Sequence, residues 1–493
     1  MLDNQGSNRS IFALIVACVG IVLGIGGGFL AGAQPLYLGL GVVAIAICVY
    51  FFSSFEQAVL GLLILRSSLD ILSDLQIPAA FAIGVDILAV LYVVFAVLTG
   101  KKVYTDNFWW FFLGWVFLQA MWMVLLPLGG LGLDGSFLAA SAREWVRLFS
   151  WAMVYLLVMQ LQDTIPPQRA ISLLLLGLIA PLLLASLQMF VPSILPPILS
   201  HDGGTDAALS LAGESRIRGT LGHPNTFATF VLLFIGLTWW KLGQSREKWQ
   251  WLILLGTLVF FYVSTKALFS LMMIGVFVLV LIAPRLKPLN IIAGLLLIAV
   301  VLGLFASSEF GQARLASLGN TPLFNPDMDV SRAILLSQGD NNSFNWRLSQ
   351  WSYLLQRWED YPMLGYGLGL STYVSTNQLL PHNDYVRALV EGGIVGLVVY
   401  LGFFIAQGVR LWQLLKSPNI TPSQRQLCQI LLAILAAIPL GMITENIWSH
   451  TTLFFYWWTI LAIAGWNWQP QTTTQQLESP DLGVSSLLQK SRK

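Results

Sequence analysis

Apolar runs of about 20 residues, the length that spans a bilayer, follow one another along almost the whole chain. They fall near 11–32, 36–53, 80–99, 108–128, 145–161, 170–195, 225–241, 249–264, 267–283, 289–307, 385–414, 426–443 and 450–466. A shorter run at 55–69 is interrupted by Arg66 and counts as one further span or none. The pattern predicts an all-α fold, a polytopic transmembrane helical bundle of 12–14 spans. The first run lacks a small-x-small cleavage site and more spans follow it, so it reads as a retained helix.

The polar breaks organise the rest. The longest, 308–384, is too long for an idle connection. It contains "NWRLSQWSYLLQRWEDYP", whose aromatic and apolar residues recur at helical spacing and predict one or two amphipathic helices near the membrane surface. The chain therefore divides into a transmembrane region 1–307, a large extracytoplasmic loop 308–384, C-terminal transmembrane helices 385–468 and a disordered cytoplasmic tail 469–493. Threading the spans puts Lys101, Lys102, Lys241, Arg246, Lys248, Arg285, Lys287, Arg410, Lys416, Arg425 and Lys490 on one side, which the positive-inside rule makes cytoplasmic. The segments 129–144, 196–224, Ser264–Lys266, 308–384 and 444–450 then share the opposite face.

Composition agrees. Of 493 residues, 56% are hydrophobic and only 10% charged, which excludes a soluble domain, while a net charge of +2 says little about partners. Cys18, Cys48 and Cys428 lie in or beside apolar runs, with no metal-ligand spacing and no disulfide framework. No metal site, cofactor motif or nucleotide-binding loop stands out, and "GYGLGLSTY" follows no strand–helix unit. Eight of the nine lysines thread to the cytoplasmic side; the outer face holds Lys266 and about ten arginines. Guanidinium forks grip phosphate and carboxylate oxygens, so that face suits an anionic ligand.

Four constellations lie there. In "ESRIRGTLGHPNTFATF", Arg216 and Arg218 precede a glycine turn and His223-Pro224-Asn225 at a helix start, either an anion site or an ordinary cap with interfacial arginines. In "VSTKALFS", Lys266 either snorkels or meets a phosphate. In "LLPHNDYVRALVEGGIVG", His382 is either an interfacial cap or a base, since a histidine can take a proton near neutral pH. Arg387 and Glu391 form an i,i+4 pair that either neutralises itself or faces a ligand, and Gly392, Gly393 and Gly396 read as permitting close helix packing. "SAREWVR" (Arg143, Glu144, Arg147) and "ENIWSHT" (Glu445, His450) line the same cavity or decorate the interface. His201 reads as a loop residue.

These motifs resemble, in order, those of the O-antigen ligase and polymerase superfamily of membrane glycan-transfer proteins. "RIRGTLGHPNTFAT" is similar to the family's Arg-Gly and Pro-Asn helix start, and "VSTKALFSL" stands where many members read Ser-x-Ser-Arg. "NWRLSQW", "YPMLGYGLG" and "PHNDYVRALVEGGIVGLVVYL" complete a resemblance over roughly 210–405. It implies transfer of a glycan from a polyprenyl-pyrophosphate carrier to a lipid or glycan acceptor on the extracytoplasmic face of the inner membrane, without nucleotide sugar, metal or cofactor. Carried over, His382 is the base, Arg218 and Lys266 hold pyrophosphate, and Arg147 and Arg347 assist; Arg216, Arg387 and Glu391 join them as substrate-binding candidates. Lys266 departs from the family's arginine, keeping the charge but losing the bidentate fork. Ligase and repeat-unit polymerase share these motifs. Two competitors differ in class: a non-catalytic assembly partner, and a bicarbonate or solute transporter. A transporter should show midplane charges and broken helices in paired halves, whereas the polar residues concentrate at one face.

Overall fold

The computed structural model describes residues 35–200, 216–283, 288–319 and 343–469, with isolated positions between 325 and 336. The expected first span at 11–32, His201, Cys18 and nearly all of the tail lie outside the described residues. Every described element is helical. In chain order these are α1 (Pro35–Ser53), α2 (Phe55–Leu65), α3 (Ile77–Leu98), α4 (Asn107–Leu128), α5 (Leu138–Met159) and α6 (Pro167–Phe190). They continue as α7 (Pro224–Gln244), α8 (Trp249–Ser264), α9 (Leu268–Ile282), α10 (Pro288–Ser307), α11 (Glu309–Gly319) and α12 (Ser343–Trp358). The short α13 (Ser371–Val374), α14 (Asp384–Lys416), α15 (Pro422–Gly441) and α16 (Thr451–Ala464) complete the set.

Six helices, α3, α4, α6, α7, α14 and α15, are long and apolar enough to cross a bilayer. Shorter apolar helices run over Trp249–Ser264, Leu268–Ile282, Ile292–Ser307 and Thr451–Ala464. The runs expected at 36–53 and 55–69 form one unit bent by 120°, a broken span or a re-entrant loop, because the chain leaves helical geometry at Ser54. Burial sorts the helices. α16, "TTLFFYWWTILAIA", is buried from Thr452 to Ala464, and α7 is buried along nearly its whole length, as helices apolar on all sides must be. Around them α5 packs on α3, α4 and α16, and α9 runs along α15. The outward faces of α1, α3 and α10 expose Val43, Ile87, Val94, Ile292 and Leu296, apolar surface suited to lipid. The chain is a multi-pass membrane protein.

The two ends of the bundle carry different chemistry. At one end, Arg410 of α14 meets Asp106 before α4 at 2.6 Å, and Tyr155 of α5 donates to the same carboxylate at 2.9 Å. The other end gathers the helix starts at Pro224 and Asp384 with the turns around 66–76, 265 and 442–450. There the long loop folds back. α12 packs on α14, with Leu354, Tyr366 and Val390 forming a small apolar core. The Gln350 amide donates to the Ser375 hydroxyl at 2.9 Å and the Leu379 carbonyl at 2.8 Å, and the Trp351 indole donates to the Pro381 carbonyl.

α14 is one apolar run in sequence but not one continuous helix. At Gly393 the backbone turns to φ 62°, ψ −163°. The freed backbone groups are taken up by the "YPMLGYGLG" segment. Ile394 and Val395 donate to the carbonyls of Pro362 and Met363 at 2.9 and 3.2 Å, while Tyr366 and Gly367 donate to those of Val390 and Glu391, both at 2.9 Å. Helix breaks at membrane depth are tolerated where other protein groups re-satisfy the backbone. The glycine pair, expected to serve helix packing, therefore also permits a break: a side chain at 393 would sit 2.2 Å from the Met363 carbonyl carbon.

Candidate functional site

Glu445 is the hub of the polar end. It lies in the turn between α15 and α16, 3% exposed, and its two oxygens hold separate segments. Oε1 lies 3.3 Å from His382 Nδ1 and accepts from the Asn446 amide at 3.1 Å. Oε2 accepts from the Asn225 side-chain amide. Asn225 Oδ1 in turn accepts from Arg216 Nη2 at 2.8 Å, and Arg216 Nε donates to the Thr265 carbonyl at 3.0 Å, next to Lys266. Arg347 of α12 donates to the Thr444 carbonyl at 2.9 Å, beside the same glutamate. Segments scattered from 216 to 445 thus converge within a few hydrogen bonds.

Local sequence accounts for the geometry. Pro224 starts α7 at a position where its missing N–H costs nothing. His223 Nδ1 caps that helix by accepting from the Asn225 amide at 3.1 Å. Asn383 caps α14, its Oδ1 accepting from the amides of Tyr385 and Val386. His382, just before that cap, has φ +50°, and Lys266 has φ +54°. These are two of four non-glycine residues with positive φ among the described residues. Such backbone costs on the order of 1–3 kcal/mol and persists only where its surroundings impose it. The His382 ring meets Trp346 edge to face at 5.9 Å, and its side chain is 24% exposed against 4% for Glu445. With Nδ1 facing Glu445, Nε2 has no hydrogen-bond partner among the described residues.

Charge at the hub is uneven. Burial opposes ionisation of Glu445, but His382, through charge and hydrogen bond, and Arg347 outweigh it and hold the carboxyl well below the usual range. His450 is 5% exposed and its Nδ1 lies 2.9 Å from the Thr229 hydroxyl. Burial holds it down at about 3 despite Glu445 nearby, so it is neutral at physiological pH.

A second cluster lies deeper. Arg387 donates from Nε to Glu391 at 2.9 Å, from Nη2 to Glu144 at 2.8 Å and from Nη1 to the Ser449 hydroxyl at 2.8 Å. Glu144 also pairs with Arg147. Glu391 accepts from the Gly369 amide at 2.9 Å and the Ser371 hydroxyl at 2.6 Å. Arg387 and Glu391 are 4% and 6% exposed, so their charges are spent on each other and on neighbours. Beside them a cavity of about 40 Å³ is lined by Trp115, Gln119, Trp122, Asp384 and Tyr400, room for a few waters at roughly 15 Å³ each. Asp384 Oδ1 is buried there without a partner among the described residues.

Of the residues singled out by sequence, Arg216, Arg347 and His382 meet at the hub, and the turn carrying Lys266 is tied to it through Thr265. Arg147, Arg387 and Glu391 form the buried cluster. Arg218 faces its own loop, donating to the carbonyls of Gly222, Ser200 and Ile198 at 3.1, 2.8 and 3.3 Å. Sequence reading gave Glu445 and Asn225 too little weight. Each is an ordinary polar residue at a helix boundary, and only their contacts reveal them. It also passed over Arg66, which pairs with Asp70 at 2.6 Å and donates to Thr451 at 2.7 Å, and Asp86 inside α3, which meets Ser150 at 2.7 Å.

Residues 250–401 match the family described as O-Antigen ligase. The matched stretch contains Lys266, Arg347, His382, Arg387, Glu391 and the break at Gly393; Arg216 precedes it and Glu445 follows it. No curated protein matches the chain.

Proposed function

On the premise of that O-antigen ligase region, we propose that this membrane protein transfers a glycan from a polyprenyl-pyrophosphate carrier to an acceptor hydroxyl at the extracytoplasmic face of the inner membrane. The supporting observation is the convergence of Arg216, Asn225, Thr265 and Arg347 around Glu445, which faces the half-buried His382. His382 Nε2 takes the acceptor proton as the hydroxyl oxygen bonds to the anomeric carbon. The bond from that carbon to the phosphate oxygen breaks, and its electron pair leaves with polyprenyl pyrophosphate. This is already a good leaving group, so the protein must chiefly hold its charge and align the acceptor. Arg216, Lys266 and Arg347 hold the pyrophosphate, while Arg218 shapes the loop beside it. Arg147, Arg387 and Glu391 lock α5 and α14 behind the site. No metal is required in this scheme.

The test is transfer by purified protein, in EDTA, from a polyprenyl-pyrophosphate oligosaccharide to lipid and glycan acceptors. Polyprenyl pyrophosphate release by wild type, lost in His382→Ala, is the expected result. Undiminished transfer by the variant would remove His382 as the base. A lipid acceptor marks a ligase and a second repeat unit a polymerase.

Transport of a small solute is the second reading, favoured by the break at Gly393 and the cavity beside Asp384. Uptake of labelled bicarbonate into proteoliposomes, with no glycan transfer, would replace the first reading with it.

A further inference from the structure

We propose that Glu445 is the positioning residue for His382, and that Asn225 joins it to the donor-holding arginine. The assignment rests on the transferase reading for its consequence, but not for its geometry. One unbroken chain of hydrogen bonds runs Arg216 Nη2 to Asn225 Oδ1, Asn225 Nδ2 to Glu445 Oε2, and Glu445 Oε1 to His382 Nδ1. A carboxylate on Nδ1 fixes the ring and keeps the proton on that nitrogen, which leaves Nε2 as the acceptor. Glu445 can do this because it is almost wholly buried and held at both oxygens, with the Asn446 amide as a further donor. Among the described residues no other hydrogen bond fixes the ring: His382 has strained backbone, its side chain is part-exposed, and its ring meets the edge of Trp346.

Asn225 supplies the coupling. It has one acceptor and one donor side, and it spends one on Arg216 and the other on Glu445. A pyrophosphate seated on Arg216 would therefore act through two side chains on the orientation of the base. Charged and titratable groups around the pair are Arg347 from α12, Asp384 from the start of α14, His450 and His223 from the turns before α16 and α7, and Arg216.

The experiment compares Glu445→Gln, Glu445→Asp and Asn225→Ala, each in wild-type and His382→Ala backgrounds. Glu445→Gln should lower kcat roughly 10- to 100-fold, part of the 10²- to 10⁴-fold worth of a general base, with donor KM changed less than about threefold. Glu445→Asp should recover part of kcat. In the His382→Ala background neither change should cost anything further. Full kcat in Glu445→Gln, an effect confined to KM, or an equal loss in the His382→Ala background would each overturn the assignment.

A substrate-free measurement separates this inference from the functional reading. Reaction of His382 with diethyl pyrocarbonate, followed by mass spectrometry of its peptide, should be at least threefold faster in Glu445→Gln than in wild type at pH 7. If no transfer is seen with any acceptor, the transferase reading fails. The reagent result then decides alone: unchanged reactivity ends the positioning role, and increased reactivity sustains it. Should Glu445→Gln fail to fold, Asn225→Ala must show the same change in reactivity, and its absence overturns the proposal.

Discussion

Arg387 on α14 donates to Glu144 on α5 at 2.8 Å, joining residues 243 positions apart. The same guanidinium holds the buried Glu391, whose ion pair among the described residues is with Arg387, while Glu144 keeps Arg147 as a second cation. Removing one partner of a buried pair leaves an uncompensated charge, at a cost of about 3–5 kcal/mol. Arg387→Ala should lose about that much in detergent unfolding. Arg387→Met combined with Glu391→Met should lose less than the sum of the single changes. A loss below about 0.5 kcal/mol for Arg387→Ala would show that the cluster does not hold the bundle.

At the hub, single cations should act on donor binding. A hydrogen bond to a charged group contributes about 1.5–3 kcal/mol, or roughly 10- to 150-fold. Arg216→Ala and Lys266→Ala should raise donor KM within that range, and Lys266→Arg should match or exceed wild type because it adds a bidentate fork. Steady-state kinetics with varied donor decide it. Lys266→Ala with wild-type KM would take the lysine out of the pyrophosphate site.

Acid should destabilise the fold in two steps. Folded His450 sits at about 3, against an ordinary histidine value of 6.5. Between those values the unfolded chain binds the extra proton, so stability rises with pH there. The contribution of neutral His450 is complete above about 6.5 and disappears as pH falls toward 3. Glu445 adds a loss of the same sign, which starts as pH falls into the ordinary glutamate range and continues below it. Melting temperatures measured from pH 7.5 to 4 should fall for wild type and fall less for His450→Gln. Parallel curves would refute the assignment to His450.

Two glycines of α14 should respond oppositely to alanine. At Gly393 the new methyl would meet the Met363 carbonyl, and the left-handed backbone adds strain. At Gly402 nothing lies within 4 Å. Gly393→Ala should give little monodisperse protein. Gly402→Ala should be as stable as wild type or better by up to about 1 kcal/mol. Size-exclusion yield and melting temperature distinguish them, and equal behaviour would mean that the break is dispensable.

Much of this was legible in the chain. The apolar runs mark the helices because a lipid-covered helix must be apolar over its whole length. His382, Arg216 and Arg347 stood out because charge and imidazole are rare in so greasy a sequence. The break at Gly393 was not legible, since it lies inside one long apolar run, whereas the polar Ser53-Ser54 step did separate the runs 36–53 and 55–69 but not the 120° angle between them. Glu445 and Asn225 were under-read for another reason: each looks like a helix-end residue, and their meeting joins positions 220 apart.

The break in α14 also bears on how this protein can be recombined. Residues 362–367 and 390–395 share four backbone hydrogen bonds, so neither segment is complete without the other. The end of the long loop and the helix after it are one inheritable cassette, although one is polar and the other greasy. A chimaera that exchanges the loop alone would leave four amides and carbonyls stranded inside the membrane protein. One that exchanges 362–395 whole would carry the splice, and His382 with it, intact.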